Sequence, residues 1–154
     1  MLFRHAVLED APAVAALVGE LLTEIVAAIG EPVFHFDMSE TTERLERFMR
    51  EERYVVLVAS DSAGPIGFIT LYESFALYAE GVFGTIPELY VRPAYRSRQV
   101  GRELLSRAKA LARTRDWTRL EVTTPPLPAF DRTLTFYERE GFVISGGRKL
   151  KLAL

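Results

Sequence analysis

The 154-residue sequence predicts an α/β layered domain with a mixed central sheet flanked by helices. Three observations carry that expectation. Apolar residues recur at helical spacing from Val14 to Ile29 and again from Val100 to Ala112. Between them lie two valine- and isoleucine-rich runs of strand length, residues 54–59 and 66–72. The elements alternate as β-α-α-β-β-β-α-β-α-β-β, so hairpins supply antiparallel pairs and helical crossovers supply parallel ones.

Phe3 to Val7 reads as the first strand. Asp10 stands where a helix cap belongs, and Pro12 sits in the first turn, where its missing N–H costs nothing. Gly30 ends that helix and Pro32 blocks its continuation. Gly19 inside the pattern marks a break between two helices. Ser39 is expected to cap a second helix, whose apolar face is Leu45, Phe48 and Met49. Residues 54–59 and 66–72 form a hairpin about the Asp61-Ser62-Ala63-Gly64 turn. Residues 81–91 make the next strand, interrupted at Pro87, which has no N–H for a ladder, so a bulge, a splay or a sheet edge is expected near residues 83–91. Val100, Leu104, Leu105, Ala108, Leu111 and Ala112 share one face of the clearest helix. Leu120 and Val122 alternate with polar residues in a short strand, which Pro125, Pro126 and Pro128 end. A helix over residues 130–139 follows, closed by Gly141. Alternation of Leu150, Leu152 and Leu154 beyond the Gly146-Gly147 turn suggests a final hairpin.

The length fits one domain, residues 1–154, with a substantial core. Apolar residues make up 49% and charged residues 26%, a globular profile, and the net charge of −2 does not favour nucleic acid. Without cysteine there is no disulfide, thiolate metal site or cysteine nucleophile, and two histidines make a histidine metal centre unexpected. No signal peptide or uninterrupted apolar run of about 20 residues is evident, so no membrane partner and a cytoplasmic location are expected.

The densest chemistry lies in Leu89-Tyr90-Val91-Arg92-Pro93-Ala94-Tyr95-Arg96-Ser97-Arg98-Gln99-Val100-Gly101-Arg102. An apolar strand runs into an arginine-rich loop and then a helix start. Such a start carries partial positive charge and orphan N–H donors, which suit a phosphate. Arg96, Arg98 and Arg102 add charged donors, and Gly101 leaves room for close approach. Three arginines that merely solvate a loop are the plainer reading of the same residues.

This stretch resembles the acetyl-CoA signature of the GCN5-related N-acetyltransferases, Gln/Arg-x-x-Gly-x-Gly/Ala, set between the fourth strand and third helix of that fold. Arg96 fills its first position and Gly101 its last. Gln99 stands at the middle glycine, and Ser97 stands where a glycine commonly follows the arginine. The resemblance implies a single-domain acyl-CoA N-acyltransferase fold using acetyl-CoA and no metal. Backbone groups of Leu89, Tyr90 and Val91 would pair with the pantetheine amides, and Arg96, Ser97, Arg98, Gln99, Val100, Gly101 and Arg102 would hold the pyrophosphate.

A second motif, Thr133-Leu134-Thr135-Phe136-Tyr137-Glu138-Arg139-Glu140-Gly141-Phe142, is similar to that family's late helix, with Thr133 in place of an alanine and Phe130 in place of an asparagine. It implies that Tyr137 protonates the departing thiolate, although a buried core tyrosine has the same pattern. Glu88, beside Pro87, is the first candidate for the base that deprotonates the acceptor amine, and Glu73 the second. An N–H of the splayed strand would stabilise the developing oxyanion. His35, Phe34 and Phe36 fall in the loop that in this family lines the acceptor site, and Tyr72, Phe75, Tyr78 and Phe83 hint at an aromatic pocket.

The expected partner is a small-molecule or peptide amine, and the alternating C-terminal strand offers a route to a homodimer. A non-catalytic module that holds CoA or another phosphorylated ligand is the alternative.

Overall fold

A computed structural model describes residues 1–154, which fall into two compact units, Met1–Thr123 and Thr124–Leu154. The larger unit is built on one six-stranded mixed sheet. Its strands are β1 (Leu2–His5), β2 (Val55–Asp61), β3 (Gly64–Ala76), β4 (Gly81–Ile86), β5 (Leu89–Val91) and β6 (Leu120–Val122). Its helices are α1 (Ala11–Ile29), α2 (Met38–Arg50) and α3 (Val100–Thr114). The main path runs β1-β2-β3-β4-β6, antiparallel except for the parallel β4–β6 pair, and β5 pairs with β3 alone.

Alternation along β2 and β3 sorts the core into two layers. Val56, Val58 and Phe68 point to one face with Tyr90, where they pack with Ala11, Val14 and Leu17 of α1 and Leu45 of α2. Leu57, Ala59, Ile69 and Leu71 point the other way and are equally buried, and α3 packs on β2, β3 and β5. Leu104, Leu105 and Ala108 carry that contact side of α3 at 0% exposure.

Several local expectations change. α1 runs unbroken through Gly19, because that glycine seats the Phe36 ring: a Cβ there would stand 2.7 Å from the ring. Asp37, not Ser39, caps α2, its Oδ1 accepting the Glu40 N–H at 2.8 Å. Asp10 makes no cap bond to α1. Its carboxylate takes two bonds from Arg4, at 2.7 and 2.9 Å, and the Val7 N–H at 2.7 Å. The segment Leu8–Ile29 is by length and composition apolar enough to cross a membrane, at a mean hydropathy of 1.8. Within the fold, its Val14, Ala15 and Leu17 are core residues.

The smaller unit holds α4 (Asp131–Arg139), closed by Gly141 at φ 99°, with the Phe142 N–H bonded to the Tyr137 carbonyl. The expected final hairpin does not form. Residues 142–154 make no strand, and Val143, Ile144, Leu150, Leu152 and Leu154 are exposed. Alternation selects a face, but a strand needs a neighbour to take up its N–H and C=O groups, and a lone hairpin is marginal.

Candidate active site

The sequence interruption at Pro87 becomes a fork in the sheet. β4 pairs with the outer half of β3, from Tyr72 to Ala76, and β5 with the inner half, from Gly67 to Ile69. β6 follows β4 over Gly84–Ile86 and goes no further, so β5 keeps one open edge. The Arg92 N–H donates to the Ile66 carbonyl at 3.0 Å, and the Thr70 N–H to the Glu88 carbonyl at 3.0 Å. Bonded pairs alternate in an antiparallel ladder, so Tyr90 also turns its backbone toward β3, while Leu89 and Val91 turn theirs to the open edge. The three residues expected to serve pantetheine are therefore not equivalent. Tyr90 is committed to β3, and Leu89 and Val91 offer the free N–H groups.

Glu88 stands at the fork. With Pro87 before it, its own N–H leaves the regular ladder and donates to Thr70 Oγ1 at 3.1 Å. The same hydroxyl donates to Glu88 Oε1 at 2.6 Å, and the Tyr54 hydroxyl approaches Oε2 at 3.4 Å. Burial pushes the Glu88 carboxyl above its ordinary range, against the two hydroxyl donors, which pull it down. Tyr54 stacks parallel on Tyr72, ring centroids 6.2 Å apart, and the half-exposed Tyr72 ring forms the outer wall. A part-buried carboxylate with a raised pKa beside an aromatic wall is suited to accept a proton from an amine.

Thr70 and Tyr54 are the site residues that sequence reasoning missed. A signal existed for Thr70: it is the lone hydroxyl in the otherwise apolar run of residues 66–71, and a buried hydroxyl needs a partner.

Glu73, the second base candidate, has another task. It lies an odd number of residues from Thr70 and so on the opposite face, where its Oε1 accepts the Trp117 indole N–H at 2.8 Å. Phe83 is buried under the Arg119 guanidinium, and Phe75 and Tyr78 are exposed about the β3–β4 turn, so of the four aromatics only Tyr72 is linked to Glu88, through its stack on Tyr54. Phe36 and Met38 line an open groove of about 720 Å³ with Gly19, Glu20, Thr23 and Tyr90 along α1, while His35 is exposed.

The loop before α3 takes its shape from two left-handed residues. Ser97 at φ 63° and Gln99 at φ 65° occupy the backbone region that favours glycine. They are the two positions at which the sequence departs from the glycines of its signature, so the glycine geometry persists without the glycines. The first bond of α3 runs from the Glu103 N–H to the Gln99 carbonyl at 2.9 Å, leaving the N–H groups of Val100, Gly101 and Arg102 ahead of it at the positive end of the helix. Arg98 is exposed, its guanidinium over the Tyr95 ring.

Arg96 does not fit the expectation of a phosphate-facing side chain. Its Nε donates to the Val91 carbonyl at 2.8 Å, its Nη2 to Glu24 of α1 at 2.9 Å, and its cationic carbon lies 5.5 Å from the Tyr90 ring centroid. It braces the loop against β5 and α1. Arg92 does likewise through Glu20, at 2.9 Å.

In the smaller unit, Tyr137 is 5% exposed, flanked edge-on by Phe136 and Phe142 with centroids 5.3 Å away on each side. Burial raises its hydroxyl pKa, so it stays protonated at neutral pH and able to donate.

The sequence profile of the acetyltransferase (GNAT) domain matches residues 52–144, which span β2 through α4. The chain belongs to the GNAT acetyltransferase family. Solved structures agree in fold. A GCN5-related N-acetyltransferase from Ralstonia eutropha JMP134 superposes at a TM-score of 0.78 with 18% identity, over 98% of this chain and 97% of that one. An aminoglycoside acetyltransferase from an uncultured soil metagenomic sample gives 0.77 at 18% identity, over 99% and 95%. A ribosomal-protein-alanine N-acetyltransferase from Brucella melitensis biovar Abortus 2308 gives 0.74 at 17% identity, over 99% and 100%. A search of curated protein sequences returned no match. The fork between β4 and β5 and the helix start at Val100 thus sit in a GNAT fold, whose members generally use acetyl-CoA. The donor set suits that molecule: amide-spaced N–H groups at an open strand edge, then a helix N-terminus for phosphate.

Proposed function

We propose that this GNAT domain is an acetyl-CoA-dependent N-acetyltransferase acting on a primary amine by direct attack. The observation that carries the reading is the adjacency, within residues 88–102, of a part-buried carboxylate, an open strand edge and a helix start. Acetyl-CoA supplies a thioester carbonyl activated for attack. The N–H groups of Leu89 and Val91 would orient the pantetheine arm and donate to the negative charge that develops on the carbonyl oxygen. The N–H groups of Val100 and Gly101, with the positive charge of Arg98 and Arg102, would hold the pyrophosphate. Glu88 would take the proton from the incoming amine. The acceptor is a small-molecule or peptide amine, and the location cytoplasmic.

The test is thiol release from acetyl-CoA against a panel of amino acids, polyamines, aminoglycosides and short peptides, with wild type and Glu88→Gln compared. Amine-dependent release that falls about 10²-fold or more in Glu88→Gln supports the reading. Release of the same size in both proteins removes Glu88 from the chemistry. Tight acetyl-CoA binding with no release against any amine favours instead a non-catalytic CoA-binding module, for which Ser97 and Gln99 in the signature are the supporting departure.

A further inference from the structure

We infer that Thr70 is a positioning residue that holds Glu88 in its reactive orientation, with Tyr54 as the second arm of the same clamp. This rests on Glu88 being the base. Three short bonds join the two residues, and Thr70 Oγ1 also lies 3.4 Å from the Glu88 carbonyl, a longer alternative for the hydroxyl proton. The Thr70 N–H donates to the Glu88 carbonyl at 3.0 Å, the Glu88 N–H donates to Thr70 Oγ1 at 3.1 Å, and that hydroxyl donates its one proton to Glu88 Oε1 at 2.6 Å. One hydroxyl therefore satisfies the N–H displaced by the Pro87 interruption and fixes the carboxylate of the same residue. Thr70 is 1% exposed, so no water replaces it freely. A residue needed only to fill this core position would be valine, which has the same shape and prefers strands.

The clamp has an electrostatic consequence. The titratable groups facing the carboxylate are the Tyr54 phenol, on the residue preceding β2, and Tyr72 of β3 behind it. Neither carries positive charge, so hydroxyl donation is what favours the ionised form against burial. Removing the Thr70 donor raises the Glu88 pKa and moves the acidic limb of the rate profile to higher pH. Tyr54 contributes the same effect more weakly, at its longer 3.4 Å approach.

The experiment compares wild type, Thr70→Val and Thr70→Ser. Two readouts are taken: the pH dependence of kcat/KM, and the Glu88 titration followed by carboxyl carbon NMR in each protein. Expected in Thr70→Val is a rise of about one pH unit in both, a loss of about tenfold in kcat at neutral pH, and an acetyl-CoA KM within about twofold. Thr70→Ser should keep the wild-type titration and most of the rate. An unmoved carboxyl titration in Thr70→Val overturns the inference. Should Thr70→Val not fold, Tyr54→Phe tests the same clamp, with a rise of about half a unit expected and an unmoved titration again counting against it. The NMR readout needs no turnover. A carboxyl that moves while the rate profile stays fixed sinks Glu88 as the base and leaves the clamp standing.

Discussion

Arg96 and Glu24 form an ion pair at 2.9 Å that ties the loop ahead of α3 to α1. In the sequence, Arg96 is the signature residue and reads as a phosphate ligand. In the fold it is a brace, holding the Val91 carbonyl with one nitrogen and Glu24 with another. Glu24→Gln should therefore weaken acetyl-CoA binding only modestly. Both side chains are more than one-third exposed, and such pairs contribute about 0.2–1 kcal/mol, so the loss in affinity should not exceed roughly fivefold. Arg96→Ala should cost more, since the carbonyl bond goes too. A titration series in which Glu24→Gln has no further effect on the Arg96→Ala background checks that the two act together. Additive losses would show independent roles.

Ser97 and Gln99 invite the opposite substitution. Each holds a left-handed backbone conformation that glycine adopts without a Cβ penalty. Gln99→Gly and Ser97→Gly should each raise stability by about 0.5–1 kcal/mol, or roughly 1–4 °C in Tm. Acetyl-CoA affinity should hold or improve, because the loop shape is unchanged. A fall in both Tm and affinity would mean that the side chains make contacts the loop needs.

Asp10 gives the fold a pH dependence. Arg4 holds its carboxyl below the usual carboxylate range by a two-bond contact, with burial opposing. A lowered pKa means that this stabilisation is present above about pH 4 and drains as pH falls through the lower folded value. Asp10→Asn should lose about 2 kcal/mol at neutral pH, or roughly 4–8 °C in Tm. The gap from wild type should close in acid. Thermal melts across pH would show it, and a constant gap would assign the loss to something other than charge.

Gly84 meets the face of α3's exit. A Cβ there would collide with the Trp117 ring and with Leu120. The ring is not free to swing, since its indole N–H is bonded to Glu73. Gly84→Ala should cost about 1–3 kcal/mol by overpacking, seen as a lower urea midpoint at unchanged slope. A wild-type midpoint would mean that Trp117 relocates easily.

The parts of this fold set by local rules were legible. Helical periodicity located α1 and α3, valine runs located β2 and β3, and a proline with no N–H located the fork. What depended on distant partners was not. Gly19 looks like a helix breaker until Phe36 is seen on it, and Asp10 looks like a cap until Arg4 claims it. The C-terminal alternation of Leu150, Leu152 and Leu154 has strand form but no neighbour to pair with. Around the site, Glu88 could be named from its place beside Pro87. Thr70 and Tyr54 could not, because they reach it from 18 and 34 residues away. The role of Arg96 was likewise hidden, since Glu24 lies 72 residues upstream.

The central claim is that residues 88–102 form an acetyl-CoA site in working shape despite Ser97 and Gln99. Calorimetric titration of the purified protein with acetyl-CoA, with dephospho-CoA as comparison, addresses it directly. Micromolar binding is expected, about −8 kcal/mol, with most of it retained by dephospho-CoA, which keeps the pyrophosphate. Absence of binding by either would contradict it, and would mean that the two left-handed residues have closed the phosphate loop of an otherwise intact GNAT fold.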